Sequence, residues 1–173
     1  DATIKETQNI MSVAGEREYG KSSNHWKKIR RLFLERVRLI QNAKDEIILS
    51  TFAFKSDESG KLILGALHDA ADRGVHVRIL VDGMESWIDM EGNPYFYGLS
   101  SHENVEIKLY NKANPLKPWK TMGRMHDKYL IADGKTYILG GRNTYNYFFG
   151  WFFRGIKNFW PGCVSCLRWA TER

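Results

Sequence analysis

Apolar positions along this chain alternate between two periods. From residue 22 to 42, Trp26, Ile29, Phe33, Val37 and Ile40 recur at helical spacing, so the stripe predicts an amphipathic helix facing a core. Ser22, Ser23 and Asn24 offer N-cap choices at its start. Glu46 to Phe54 then reads as a buried strand, Ser59 to Asp72 as a helix closed by Gly74, and Val75 to Val81 as the next strand. Between residues 82 and 101, Gly, Asn and Pro are mixed with aromatics, which predicts a loop with a short helix. Val105 to Tyr110 resumes strand character. Two further short runs, Lys128 to Ile131 and Thr136 to Leu139, flank Asp133-Gly134, a two-residue hairpin signal. This alternation predicts an α/β fold, with a mixed, largely parallel sheet and helices on both faces. There is no internal repeat and no low-complexity stretch.

Composition narrows the picture. With 173 residues, 43% of them hydrophobic, the chain can bury one substantial core and is not a disordered polymer. No run approaches the roughly 18 apolar residues of a membrane span, and no secretory signal is visible. The chain opens on Asp1 within a polar lead rather than on methionine, which suggests a boundary inside a longer protein or an anchor further upstream. The expected organisation is a polar lead at 1–21, one domain at 22–149 and a tail at 150–173. That tail gathers Trp151, Phe152, Phe153, Phe159, Trp160 and Trp169 without a clean period. Two readings of it stay open: a truncated or out-of-frame end, or an ordinary helix or hairpin packed on the core.

A net charge of +6 and a pI near 9.3 favour anionic partners, phospholipid headgroups and nucleic acid alike. Two basic clusters stand out. Lys27, Lys28, Arg30, Arg31, Arg36 and Arg38 are expected to form a solvated helix face. Lys108, Lys112, Lys117, Lys120 and Arg124 lead toward the histidine motif below and are expected to touch ligand, with Trp119 as an interfacial or packing aromatic. Cys163 and Cys166 make a lone C-x-x-C without the two further ligands a zinc site requires. They carry no assignment, and no metal or other cofactor is expected.

The chemistry concentrates in H-D-K-Y-L-I-A-D-G-K-T-Y-I-L-G-G-R-N, residues 126 to 143. On a strand, residues two apart share a face, so His126 and Lys128 are expected to project together while Asp127 looks away. Gly140 and Gly141 allow backbone to approach a ligand, and Asn143 adds an uncharged amide donor. Imidazole, ammonium and amide together suit a tetrahedral phosphate. The other histidines, His25, His68, His76 and His102, lack such companions and are expected to be structural or surface residues.

This segment resembles the phospholipase D superfamily signature H-x-K-x4-D-x6-G-[GS]-x-N at every position. The runs D-E-I-I-L-S-T-F-A-F, A-A-D-R-G-V-H-V-R-I-L-V-D-G and G-G-R-N are similar to the bacterial cardiolipin synthase-like branch, over roughly residues 22 to 149. The resemblance implies one half of a bilobal fold and a metal-independent phosphodiester transfer through a phosphohistidine. It casts His126 as nucleophile, Lys128, Gly140, Gly141 and Asn143 as phosphate-binding groups, and Asp133 as a supporting member of the catalytic set. It further implies action on phospholipid, by hydrolysis or phosphatidyl transfer, at a membrane surface reached peripherally or through an anchor outside this chain.

Two departures qualify that implication. The family brings two signatures together, in one chain or across a homodimer, and this chain has one. From Gly134 through Thr171 there is also no aspartate or glutamate, whereas family members place an acid downstream to orient a catalytic histidine; Asn146 stands about where the lipid-directed branch carries it. An amide cannot stabilise an imidazolium by charge. The alternatives are therefore a homodimeric nuclease of the same fold acting on DNA or RNA, or a relic that only binds anions.

Overall fold

A computed structural model of the chain describes residues 23–112, 116, 119 and 122–149, with backbone alone for 23–28 and 30. The lead at 1–21, the tail at 150–173 with its C-x-x-C, and Lys117 and Lys120 lie outside the described residues.

In chain order the elements are α1 (Ser23–Asn42), β1 (Glu46–Thr51), α2 (Glu58–Asp72), β2 (His76–Asp82), α3 (Trp87–Met90), α4 (Pro94–Ser100), β3 (Val105–Tyr110), β4 (Tyr129–Ala132), β5 (Thr136–Leu139) and α5 (Asn146–Phe149). The strands form one sheet in the order β3-β2-β1-β4-β5. β1 pairs β2, and β2 pairs β3, in parallel; β4 runs antiparallel to β1, and β5 to β4. The architecture is the mixed α/β sheet flanked by helices that the alternation predicts.

Register explains the core. Ile138, Leu130, Leu49, Ile79 and Ile107 lie side by side across all five strands. These side chains share the face that meets α1 and α2, where Ile29, Phe33, Ile40, Ile63, Leu64 and Leu67 are buried with them. Each such side chain, fully buried, stabilises the fold by about 1.5–3 kcal/mol. The neighbouring positions, including Arg78, Glu106, Lys108, Tyr137 and Leu139, point to the other face, as the period of two requires.

Local chemistry fixes the element ends. Asp57 caps α2 by accepting from the Gly60 amide at 3.0 Å, and Gly74, at φ +89°, follows its last turn in the left-handed region that glycine enters without strain. At the β4–β5 hairpin both Asp133 (φ +54°) and Gly134 (φ +61°) are left-handed, the conformation for which Asp-Gly is selected. β1 ends at Thr51, short of the expected Phe54, because beyond it the chain exchanges bonds with the 143–144 segment instead: Thr144 N donates to Ala53 O, and Lys55 N to Thr144 O.

Candidate active site

The carboxyl ends of β1 and β2 carry two residues that organise everything around His126. Asp82, the last residue of β2, is buried. Its carboxylate accepts from the amides of Met84, Glu85 and Met125 at 3.0–3.1 Å and from the Arg124 guanidinium through three contacts of 2.7–3.1 Å. Burial alone would push this carboxyl up, but Arg124 and the three amides outweigh it and hold it below its usual range. Arg124 in turn is held above its own usual value by Asp82. The stretch immediately before His126 is thus tied down by an anion at the end of a core strand.

Phe52, the residue after β1, supplies the second anchor. The His126 ring meets it edge-on with centroids 4.8 Å apart. Arg124 lies 5.1 Å and Lys128 Nζ 5.3 Å from the same ring. An aromatic face attracts cations, so one side chain gathers the imidazole and both cations. Ser86 Oγ donates to Phe52 O at 3.2 Å, fixing the backbone that carries it.

Residues 123–128 are irregular and β4 begins only at Tyr129, so strand alternation is not what joins His126 to Lys128. His126 is exposed and Lys128 buried; Phe52 and a 2.7 Å bond from Lys128 Nζ to His126 O unite them. Burial lowers the Lys128 pKa, and Asp127 offsets part of that shift. Asn143 is buried on the adjoining residue: its Oδ1 accepts from Ala53 N at 3.3 Å, and its Nδ2 has no partner among the described residues. Gly140 N donates to Lys128 O at 3.1 Å. Among the described residues a Cβ added at Gly140 or Gly141 would meet nothing within 4 Å, and neither has a positive φ, so the described fold does not demand glycine there. The space over them is open.

Asp133 is not part of this gathering. It lies five steps of nearly extended chain from Lys128, roughly 16 Å at 3.3 Å each. Its Oδ1 accepts from the amides of Lys44, Asp45 and Glu46 at 3.1, 2.8 and 3.1 Å. It therefore ties the start of β1 to the hairpin, away from the groups gathered at Phe52.

Asn146 does not face the imidazole either. Its Oδ1 accepts from Ser59 N at 3.0 Å and Ser59 Oγ at 2.8 Å, its backbone amide donates to Asp57, and its Nδ2 donates to Glu58. It braces the first turn of α2, where burial raises the Asp57 pKa. Among the described residues the His126 ring makes no hydrogen bond to a carboxylate.

The helix cluster departs from expectation at one residue. Arg36 is not solvated: it is buried, donates to Arg142 O at 3.0 Å and lies 5.4 Å from the Phe149 ring. Burial, with Arg142 adding repulsion, draws its pKa down to about 10. Lys108 pairs with Glu106 at 2.7 Å and Lys112 with Glu91 at 4.0 Å, while Arg124 serves Asp82. Phe52 and Asp82 were not singled out from sequence. The available signal was position, since each lies near the carboxyl end of an expected strand, the end where open α/β sheets bind ligands.

Residues 37–147 match the family model described as cardiolipin synthase, PLD-like domain. A Helicobacter pylori (strain ATCC 700392 / 26695) protein of uncharacterized function is 33% identical over 127 residues, covering 67% of this chain and 25% of its own length. Cardiolipin synthase C of Escherichia coli (strain K12) is 31% identical over 132 residues, covering 68% of this chain and 26% of that protein. The chain spans about a quarter of the length of these curated relatives. Among solved structures, NucT from Helicobacter pylori superposes with a TM-score of 0.54 at 18% identity, covering 84% of this chain and 87% of that one. That likeness concerns the fold.

Proposed function

The chain belongs to the family of cardiolipin synthase, PLD-like domains, and from that premise we propose that it supplies one half of a phosphodiester-transfer site acting on phospholipids. A lone pair of the His126 imidazole attacks phosphorus, forming a P–N bond as the P–O bond to the leaving alcohol breaks. A second histidine, from another copy or another half, gives that alcohol its proton. Water or an acceptor alcohol, giving its proton back to that second histidine, then attacks phosphorus and expels His126, completing hydrolysis or phosphatidyl transfer. Lys128 Nζ, Asn143 Nδ2 and the Gly141 amide hold the non-bridging oxygens as charge builds on them, while Gly140, whose own amide is bonded to Lys128 O, lets the backbone lie close to the phosphate.

The observation that carries this reading is the convergence on residues 52–53: His126 and Lys128 against the Phe52 ring, and Asn143 on the Ala53 amide. The open space over Gly140 and Gly141 supports it, because glycine that the fold does not need is explained by a ligand lying close. The phospholipid rather than nucleic-acid assignment rests on the G-G-R-N ending and on the family. With phospholipid as substrate, the chain works at a membrane surface; no described helix is long and apolar enough to cross one.

The test offers purified protein phosphatidylglycerol vesicles and single-stranded DNA in parallel. The expected result is conversion of the lipid, a rate that rises faster than linearly with protein concentration as copies pair, and none in His126→Ala. Cleavage of DNA alone, weakening steeply with added salt as phosphate contacts do, would instead establish the nuclease reading. Turnover retained in His126→Ala would remove the nucleophile assignment.

A further inference from the structure

A second cluster of titratable side chains stands at the end of the sheet opposite to His126. His68, Asp69 and Asp72 lie near the end of α2, and the spacing of four puts His68 and Asp72 on one face of that helix. Each offers one ligand atom, and the three atoms lie within 4.8 Å of one another. His102, in the turn between α4 and β3, approaches from a second element. Its Nε2 lies 3.2 Å from Asp72 Oδ1, and Asp72 Oδ2 lies 3.2 Å from His68 Nδ1. His68 and His102, expected to be structural or surface residues, thus share one carboxylate. Asp72 shortly precedes β2 and His102 shortly precedes β3, and these strands run parallel, so the cluster belongs to their amino ends.

Electrostatics and donor geometry both favour a cation here. A helix ends in negative partial charge, where positive groups are stabilising, yet α2 has no basic residue in its last turn and carries Asp69 and Asp72 near that end. Arg73, which follows them, directs its guanidinium to backbone carbonyls, Asp69 O at 3.0 Å, Ile40 O at 3.2 Å and Gln41 O at 3.1 Å. His68 Nδ1 is buried and has no hydrogen-bond partner among the described residues, although Asp72 Oδ2 is 3.2 Å away. That separation suits two ligands of one tetrahedral ion, which at 2.0–2.1 Å from the metal stand roughly 3.3 Å apart. His102 is held differently. Asn104 N donates to its Nδ1 at 3.1 Å, so in the neutral ring Nε2 carries the proton and donates it to Asp72 Oδ1. A hydrogen bond of this kind orients a ligating carboxylate. Asn104 Nδ2 also donates to Ala71 O at 3.2 Å, fixing the turn against the helix.

We propose that His68 Nδ1 and the carboxylates of Asp69 and Asp72 bind a divalent metal ion of the zinc class, with His102 as the positioning residue that orients Asp72. An imidazole beside two carboxylates suits zinc-like ions, whereas Mg2+ and Ca2+ take oxygen ligands. The Asp72 side chain is 52% exposed, so the ion reaches its ligands from solvent. The site is separate from the phosphodiester chemistry proposed above and takes no part in it. Its effect is structural: the ion fixes the end of α2 and, through Asp72, the turn that carries His102.

The test titrates the full chain, with Cys163→Ser and Cys166→Ser removing competing thiolates, with Zn2+ by calorimetry, and follows the histidine ring nitrogens by NMR. One Zn2+ is expected to bind at least tenfold more tightly than Mg2+ or Ca2+. The His68 Nδ1 resonance should move to a metal-bound position while His102 keeps its Nε2 proton. His68→Ala should weaken Zn2+ binding more than tenfold, and so should Asp69→Asn, which alters an exposed side chain and leaves the core untouched. His102→Ala should weaken it by about 10–100-fold, the usual cost of losing an outer partner of a ligand. Undiminished affinity in either His68→Ala or Asp69→Asn would overturn the proposal. So would Mg2+ bound as tightly as Zn2+, or Zn2+ shifts confined to His25, His76 or His126. None of these readouts depends on turnover.

Discussion

At the scale of single residues, the account separates groups that handle phosphate from groups that only hold shape. His126 is exposed and touches the fold mainly through Phe52, so His126→Ala should abolish turnover and leave the circular dichroism spectrum and melting temperature nearly unchanged. Lys128→Ala should lower kcat by about 10²–10³, the cost of losing one donor to a developing oxyanion. The same lysine sets a pH limit. Burial lowers its pKa, so the charged form that phosphate needs is present below that value and is lost as pH rises through it. The alkaline limb of the rate profile should therefore fall below the ordinary lysine range, and Lys128→Arg should carry it upward. The signature residues were legible in the sequence because the family motif lists them. Their different jobs were not: Asp133 matches the motif as well as His126 does, and only the three amides it accepts from reveal it as a brace.

At the scale of elements, the brace and the anchor make opposite predictions about stability and catalysis. Asp133→Ala removes the acceptor for three amides at the start of β1 and places alanine at φ +54°, which should cost about 1–3 kcal/mol in urea unfolding. Activity per folded molecule should persist, and Asp133→Asn, which tolerates that conformation, should recover most of the loss. Asp82→Ala strands three amides and frees Arg124; it should cost about 2–4 kcal/mol and reduce turnover as well, because the 124–126 stretch loses its tether. The pH dependence has a defined sign. The folded Asp82 pKa is depressed, so its contribution is fully present above the unfolded value of about 3.9 and is lost as pH falls through the folded one. Wild type should lose this increment on acidification, and Asp82→Ala should not. The strands and the two long helices were readable to within a residue or two from periodicity, β3 and β5 to the residue, except at β1; α3 and α4 were expected only as one short helix without bounds, and α5 was not expected. At β1 the apolar run continues through Phe54, but pairing passes to residue 144, a long-range choice that local spacing does not encode.

At the scale of the whole molecule, the described sheet presents half of the proposed chemistry at one end. A single His126 cannot both attack phosphorus and protonate the leaving group, and no described carboxylate bonds its ring. Turnover should therefore track association of two chains, or addition of a separately supplied second half. Analytical ultracentrifugation run across the concentrations used for the assay checks this, with activity expected to follow the dimer fraction. The fold class was legible because alternating strand and helix patterns leave few ways to bury a core, whereas the exposure of Ile88 and Met122 was not, since both look like ordinary apolar residues in the sequence.

Titration of the labelled protein with inorganic phosphate, followed by NMR, tests the central claim without requiring turnover. The account predicts that the His126 ring, the Asn143 Nδ2 group and the Gly140 and Gly141 amides shift together along one saturating curve, and that Lys128→Ala flattens it. Shifts confined to other residues, or a curve indifferent to Lys128→Ala, would contradict a phosphate site at residues 52–53.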